Sequence, residues 1–484
     1  MAPGGFVDWR GNTINKEVHG GVRAAWFLYV LTVVSNVAII PNLLNLVSYL
    51  HGTMHMGVSG SATTTTNVFG ATSGFALIGA FLSDSYITRS RTMLLFGPFM
   101  FLGYGLLALQ AYLPSLHPPP CNIETELNNC KETNLTMKIP LSPANGPASL
   151  TVAAGLPFYR NQVPEGSPLT RILQVLVVAF RNRKLELPEK LEEAQESCIG
   201  TRACSVDALS QTDNLKFLNK ACINHGKNGD WSVCSVAKVE DTKIVLRVLP
   251  LFISSMISYI SNVILFTFTV QQGGMTNTRL GKIHVSPATL FIIPTTFQLI
   301  MLAVYDQFIV PFLRRRTGYV GGVTHLQRIG IGFASMLLAS VIAAIVEKKR
   351  KEAVVQMSLF WLAPQFFLLG VADVTSFTGL LEFFNSEAPR GMKSIATALF
   401  WCELGLASLM ATLLVEIVNS ATRHGHHGGW LEGTTLNSSH LDLFYWVVAV
   451  LGLLGFFNYL YWAKKYVYQH NPHIVETYAD QDPL

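Results

Sequence analysis

Residues 24–50 contain no Asp, Glu, Lys or Arg, and this constrains the chain more than any other feature. A helix needs about 20 residues to cross a hydrocarbon layer of about 30 Å, so such a block is stable only inside a bilayer. Comparable blocks follow at residues 63–83, 92–113, 245–270, 285–313, 329–346, 354–384, 394–418 and 443–463. Backbone groups in lipid must satisfy one another, which makes each block a helix despite its Val, Ile and Thr content. The expected fold class is therefore an all-α membrane protein, with three spans in the first part and six in the second. Composition agrees: 13% of residues are charged, against roughly 25% in soluble domains.

The same reading excludes other classes. No phosphate-cradling glycine loop, nucleophile elbow or zinc signature occurs, so the chain is expected to be no enzyme and to need no cofactor or metal. The 35 basic residues cluster beside apolar blocks, where they act as topology signals, so nucleic acid is not an expected partner. Cys121 and Cys130 form a disulfide if their loop is extracellular. His424, His426 and His427 read as loop histidines, with no acid or thiol beside them to fix a metal.

The domains are expected at residues 1–113, a three-span partial bundle; 114–243, an extramembrane linker; 244–470, a six-span bundle; and 471–484, a cytoplasmic tail. Within the linker, residues 172–180 flanked by Arg171, Arg181 and Arg183 read as a helix lying on a membrane face or packed under the bundle. Arg314–Arg316, Arg390 with Lys393, and Lys464–Lys465 all fall on one side if spans alternate, and that side is the cytoplasm. Lys348–Lys351 falls on the opposite side, against the rule. The sequon at Asn437 lies outside, and a second, at Asn134, is usable only if its loop does too. Lys16 and Arg23 place the amino terminus inside. Three spans then leave residue 114 outside, whereas the span at residue 245 must start inside, so an odd number of crossings is missing.

Several ordered motifs resemble the plant nitrate/peptide transporters, of the proton-dependent oligopeptide group in the major facilitator superfamily. They are Gly79-Ala80-Phe81-Leu82-Ser83-Asp84-Ser85-Tyr86, Gly155-Leu156-Pro157-Phe158-Tyr159-Arg160, Val245-Leu246-Arg247-Val248-Leu249-Pro250, Phe268-Thr269-Val270-Gln271-Gln272, Leu326-Gln327-Arg328-Ile329-Gly330 and Leu381-Glu382-Phe383-Phe384 continuing to Glu387-Ala388-Pro389. The resemblance implies two six-helix halves around a cavity, moving solute by alternating access. Against that plan the chain lacks the fourth and fifth spans and most of the sixth, an odd number of crossings, so its first half is an incomplete major-facilitator-type bundle. The break falls between residues 133 and 151 and points to an alternative transcript or an incomplete gene model.

Acids within spans are costly and call for a partner or a function. Glu382 matches the family's acid in the tenth span, where protonation is coupled to solute release. Asp373 and Glu403 are further coupling candidates, each with structural pairing as its alternative, and Glu416 lies close enough to a span end to face headgroup water. Asp84 and Arg89, with Arg91 beside them, resemble the superfamily's loop latch, or else anchor a cytoplasmic loop. The family's first-span Glu-x-x-Glu-Arg falls on Thr32, Ser35 and Asn36, where all three charges are absent, so the usual proton relay is not expected. Asn36, Asn262 and Gln271 are polar candidates for a solute cavity, interhelical hydrogen bonding being the alternative. Phe383 and Trp401 could line it, or simply pack.

The expected function is secondary transport of a small solute such as nitrate, a di- or tripeptide or an acidic plant hormone, with protons as co-substrate by ancestry. The alternative is a non-transporting form that associates with a full-length homologue or misfolds. The plasma membrane is favoured over the vacuolar membrane.

Overall fold

In the computed structural model of the chain the described residues are 6–8, 12, 19–113, 117, 156, 159, 161–162, 168–184, 215–222, 231, 234–280, 283–284, 287–319, 322–388, 393–423, 428–433 and 436–468. Ten helical segments dominate them. They are α1 (Gly21–Gly52), α2 (Val58–Ser85), α3 (Arg89–Tyr112), α4 (Pro168–Arg181), α5 (Val236–Gly274), α6 (Thr289–Thr317), α7 (His325–Glu352), α8 (Leu359–Glu387), α9 (Lys393–Thr422) and α10 (Leu441–Lys465). Seven of them, α2 and α5 to α10, are long and apolar enough to span a bilayer. Two short antiparallel strand pairs accompany them: Phe6–Val7 pairs with the distant Asn161–Gln162, and Arg279–Leu280 forms a hairpin with Ile283–His284.

The core lies among α5, α7, α8, α9 and α10, where Tyr259, Phe268, Phe333, Phe366, Phe400 and Phe444 are fully or almost fully enclosed. At the opposite extreme, α6 buries none of its apolar window, as expected of a helix on the bundle's lipid face. Local signals set the ends. Thr324 and Gln327 form a reciprocal capping box at the start of α7, each side chain accepting the other's backbone N–H at 3.2 Å. Gly318, with φ of 75°, closes α6 in the left-handed region that glycine enters freely.

Two boundaries differ from the sequence reading. α5 begins at Val236, inside the expected linker, because Glu240 and Lys243 form a buried ion pair at 2.7 Å that lets charged residues join the helix. Val354 and Val355 are exposed loop residues rather than span, and α8 starts only at Leu359, after Ser358 accepts the N–H of Phe360. The basic run at the end of α7 also finds its explanation. Arg350 donates to both oxygens of Glu347, at 2.7 and 2.9 Å, and to Asn437 Oδ1 at 2.7 Å, while Lys351 reaches Asp442 at 2.6 Å. Arg350 is thus held by its own helix and by the loop before α10, and Lys351 by the first turn of α10.

α4 packs against the inner extension of α5 and the 3₁₀ segment Lys216–Cys222, burying Val175, Val178 and Ala179 against Leu218, Ala221 and Val239. Of the two readings offered for it, packing under the bundle accounts for that face. His117 sits beside Tyr49, near the carboxyl-terminal end of α1. The expected break at residues 133–151, Cys121, Cys130, the sequon at Asn134, the loop histidines and the tail from residue 471 lie outside the described residues.

Candidate functional site

Two seams carry polar side chains within the bundle. The first joins α2 to the carboxyl-terminal helices. Asn419 Nδ2 donates to Ser59 Oγ at 3.1 Å, Thr412 Oγ1 donates to Asn67 Oδ1 at 2.8 Å, and Gln271 Nε2 reaches Ser61 Oγ at 3.1 Å and Val58 O at 3.3 Å. Deeper in the layer the α2 and α9 backbones touch through glycine. A Cβ on Gly405 would stand 2.9 Å from Gly70 O and 3.1 Å from Gly74 N. These contacts run from the outer ends of both helices to Gly74, and beyond it Phe75 and Ile78 are exposed. Gln271 is therefore an interhelical staple, the alternative weighed for it.

The second seam lies at the inner ends of α6, α7 and α8. Arg328, almost fully buried, donates to Glu382 Oε2 and to the carbonyl of Val374, both at 2.9 Å, and its guanidinium lies 4.6 Å from the ring centre of Tyr305. His325 Nδ1 stands 3.6 Å from the same Glu382 oxygen. Val374 and Tyr305 belong to π turns, Asp373–Phe377 in α8 and Tyr305–Ile309 in α6. A π turn disturbs the regular ladder of backbone bonds, and here a carbonyl from it serves Arg328. α7 seats directly on the α8 turn: a Cβ at Gly332 would lie 2.5 Å from Ser376 Cβ.

Glu382 is thus a clamped carboxylate, with 45% of its side chain exposed. Asp373 opens the α8 π turn next to Val374 and is partly buried. Glu403 is fully enclosed, and neither of its oxygens makes a hydrogen bond. Glu416 is exposed, as its place near a span end implied. Phe383 has no exposed surface and stacks edge-on against Tyr466, whereas Trp401 is 36% exposed beside Phe377 and Phe400. Asn262 is partly buried on α5. Arg89 and Arg91 are exposed at the start of α3, and Asp84 lies in the last turn of α2. Thr32, Ser35 and Asn36 fall within α1, but their side chains, like that of Asp84, lie outside the described residues. Arg328, the residue that organises the inner seam, was quoted within a motif but not singled out. Its signal was a lone cation at the mouth of an apolar block.

Just beyond the span ends, Tyr466 donates to Glu387 Oε2 at 2.7 Å, and Tyr468 accepts the N–H of Leu326 at 3.2 Å. Burial and the adjacent Glu387 carboxylate push the Tyr466 phenol above its usual range, so it remains a neutral donor.

A bundle of helices long and apolar enough to span a bilayer, with charged and amide side chains enclosed between them, is the build of a multi-pass membrane protein. The POT family model matches residues 148–431. Protein NRT1/PTR FAMILY 4.4 of Arabidopsis thaliana is 33% identical over 95% of this chain and 90% of its own length. Protein NRT1/PTR FAMILY 4.6 of the same plant is 32% identical over 96% and 97%. The chain belongs to the POT family of membrane transporters. An auto-inhibited POT family peptide transporter of known structure has the same fold, with a TM-score of 0.63 at 16% identity over 93% of this chain and 99% of its own. The alignment with the first relative runs over 543 positions, more than the 484 residues present here, so that relative carries residues this chain lacks.

Proposed function

We propose that the chain is a secondary carrier that moves a small solute, such as nitrate, a di- or tripeptide or an acidic plant hormone, by alternating access. The observation that carries this reading is the α2–α9 seam, whose hydrogen bonds and glycine contact occupy the outer half of the layer and end near Gly74. Contacts confined to one stretch of the seam, made by small residues and single hydrogen bonds, are of the kind that rocking of two halves breaks and remakes. The partition into a partial bundle, a linker and a six-span bundle belongs to the same reading, as do the loop latch at Asp84, Arg89 and Arg91 and residence in the plasma membrane. Within the bundle, Glu382 is the acid poised to exchange Arg328 for solute or proton, and Asn262 and Trp401 are the candidates for solute contact.

The test is uptake of labelled nitrate, dipeptide and abscisic acid by cells displaying this chain at their surface. Transport of at least one solute above control, reduced by Glu382→Gln, is the expected result. Surface-displayed protein that moves none of them overturns the carrier reading in favour of a non-transporting form acting on a full-length homologue.

A further inference from the structure

Among the described candidate acids, Glu403 is the one that is fully enclosed. It sits in α9, fully enclosed, and both carboxyl oxygens lack a hydrogen bond. The Ser255 hydroxyl lies against the carboxyl but directs its hydrogen along its own helix, and the buried phenols of the same core are engaged elsewhere. Ser255 donates to the carbonyls of Leu251 and Phe252, at 2.7 and 3.1 Å. Tyr459 donates to Leu326 O at 2.8 Å. Ser376 gives its hydrogen to Ala372 O at 2.8 Å, so the Tyr259 hydroxyl, 3.4 Å from Ser376 Oγ, is the donor of that pair.

No cation compensates. The titratable groups that act on Glu403 or feel it are Tyr259 of α5, Tyr459 of α10 and the adjacent Cys402, while Asp373 of α8 acts on the same Tyr259. α2 holds no titratable side chain before Asp84, and of the basic groups of α5 and α7, Lys243 pairs with Glu240, Arg328 with Glu382 and Arg350 with Glu347, while Arg247 reaches the Val467 carbonyl at 3.5 Å. An anion enclosed without donor or counter-charge costs several kcal/mol, whereas a neutral carboxyl leaves a single hydroxyl to accommodate.

We propose that Glu403 is a proton-binding carboxyl of the carboxyl-terminal half, loaded in the packed state described here and unloading to water only when α5 and α9 part. The position has a mechanical outlet. Two residues on, Gly405 meets the α2 backbone, so a charge created at Glu403 would act on the helix that forms the seam between the two parts. The chain would thereby hold a coupling acid although Thr32, Ser35 and Asn36 supply none. The coupling role rests on the carrier reading, but proton binding does not.

Infrared spectroscopy of the purified protein in liposomes tests the binding. At pH 7 the carbonyl stretch of a protonated carboxyl should be present, should disappear in Glu403→Gln, and should persist in Glu416→Gln, whose parent acid is exposed. Superimposable spectra of wild type and Glu403→Gln in that region overturn the proposal. Uptake tests the coupling. In Glu403→Gln, accumulation driven by a pH gradient should fall at least tenfold relative to solute exchange, and an unchanged ratio overturns the coupling role. If the wild type moves no solute, the carrier reading fails while the infrared result still decides whether Glu403 binds a proton.

Discussion

Arg328 shows how much one side chain organises. Its guanidinium joins Glu382, the Val374 carbonyl and the Tyr305 ring, so three helices lose a common tie when it is removed. Arg328→Gln should lower stability by about 1–2 kcal/mol, less than the 3–5 kcal/mol of a fully buried pair, because half of the Glu382 side chain meets water. Thermal unfolding in detergent measures it, and Arg328→Lys should recover only part of the loss, since an ammonium lacks the planar fork that serves two acceptors. A second ion pair predicts a pH response. Arg423 and the Gly429 N–H hold the Glu432 carboxyl below its ordinary range. An acid whose folded pKa is depressed stabilises above its unfolded pKa, near 4.3, and loses that contribution as pH falls through the folded value. The protection factor of the Gly429 amide, its exchange rate relative to the unfolded chain at the same pH, should therefore stay constant from pH 7 to 5 and fall only below about pH 4. The acids themselves were legible in the sequence because charge inside apolar blocks is conspicuous. Their partners were not, since Arg328 and Glu382 are 54 residues apart and the intervening π turn shifts which residues of α8 share a face.

At the scale of elements, each of the nine hydrophobic blocks falls in a helix, and seven of those helices are long and apolar enough to cross a bilayer, because membrane insertion depends on summed apolarity rather than on contacts. Ends were less legible. Val354 and Val355 are apolar yet exposed in a short loop, and Glu240 with Lys243 is charged yet buried, so composition misplaced both boundaries. Glycine approaches were invisible for a related reason: their meaning depends on what the opposing helix brings. At Gly405 that is the backbone of α2, and a methyl group there would meet Gly70 O at 2.9 Å. Gly405→Ala should cost about 1–3 kcal/mol by overpacking and spread α2 from α9. A cysteine pair at Asn67 and Thr412, whose side chains touch at 2.8 Å, reports the separation. Disulfide yield in that pair should drop when Gly405→Ala is added.

For the whole molecule, the same cysteine pair makes a stronger statement. If the seam must part during transport, oxidising the Asn67→Cys/Thr412→Cys pair should abolish uptake and reduction should restore it. Uptake that continues in the fully cross-linked protein would show that α2 and α9 stay together throughout the cycle. Loop charge yields only a count at this scale: three plus six spans cannot all obey the positive-inside rule. The partners of the basic run that ends α7, Glu347 for Arg350 and Asp442 for Lys351, are not legible in the sequence because one of them comes from a helix 91 residues further on.

α5 runs 39 residues, close to 58 Å at the usual rise per residue, or nearly twice the hydrocarbon thickness. Its upper tip is pinned to α2 by Gln271, and its lower reach supports α4. Pro250 lies within it without ending it, and a tilt of 10° of the whole rod about the upper tip would sweep the far end through about 10 Å. A fluorophore attached below the cytoplasmic headgroups would therefore register, from the opposite face of the membrane, whether the external mouth is shut.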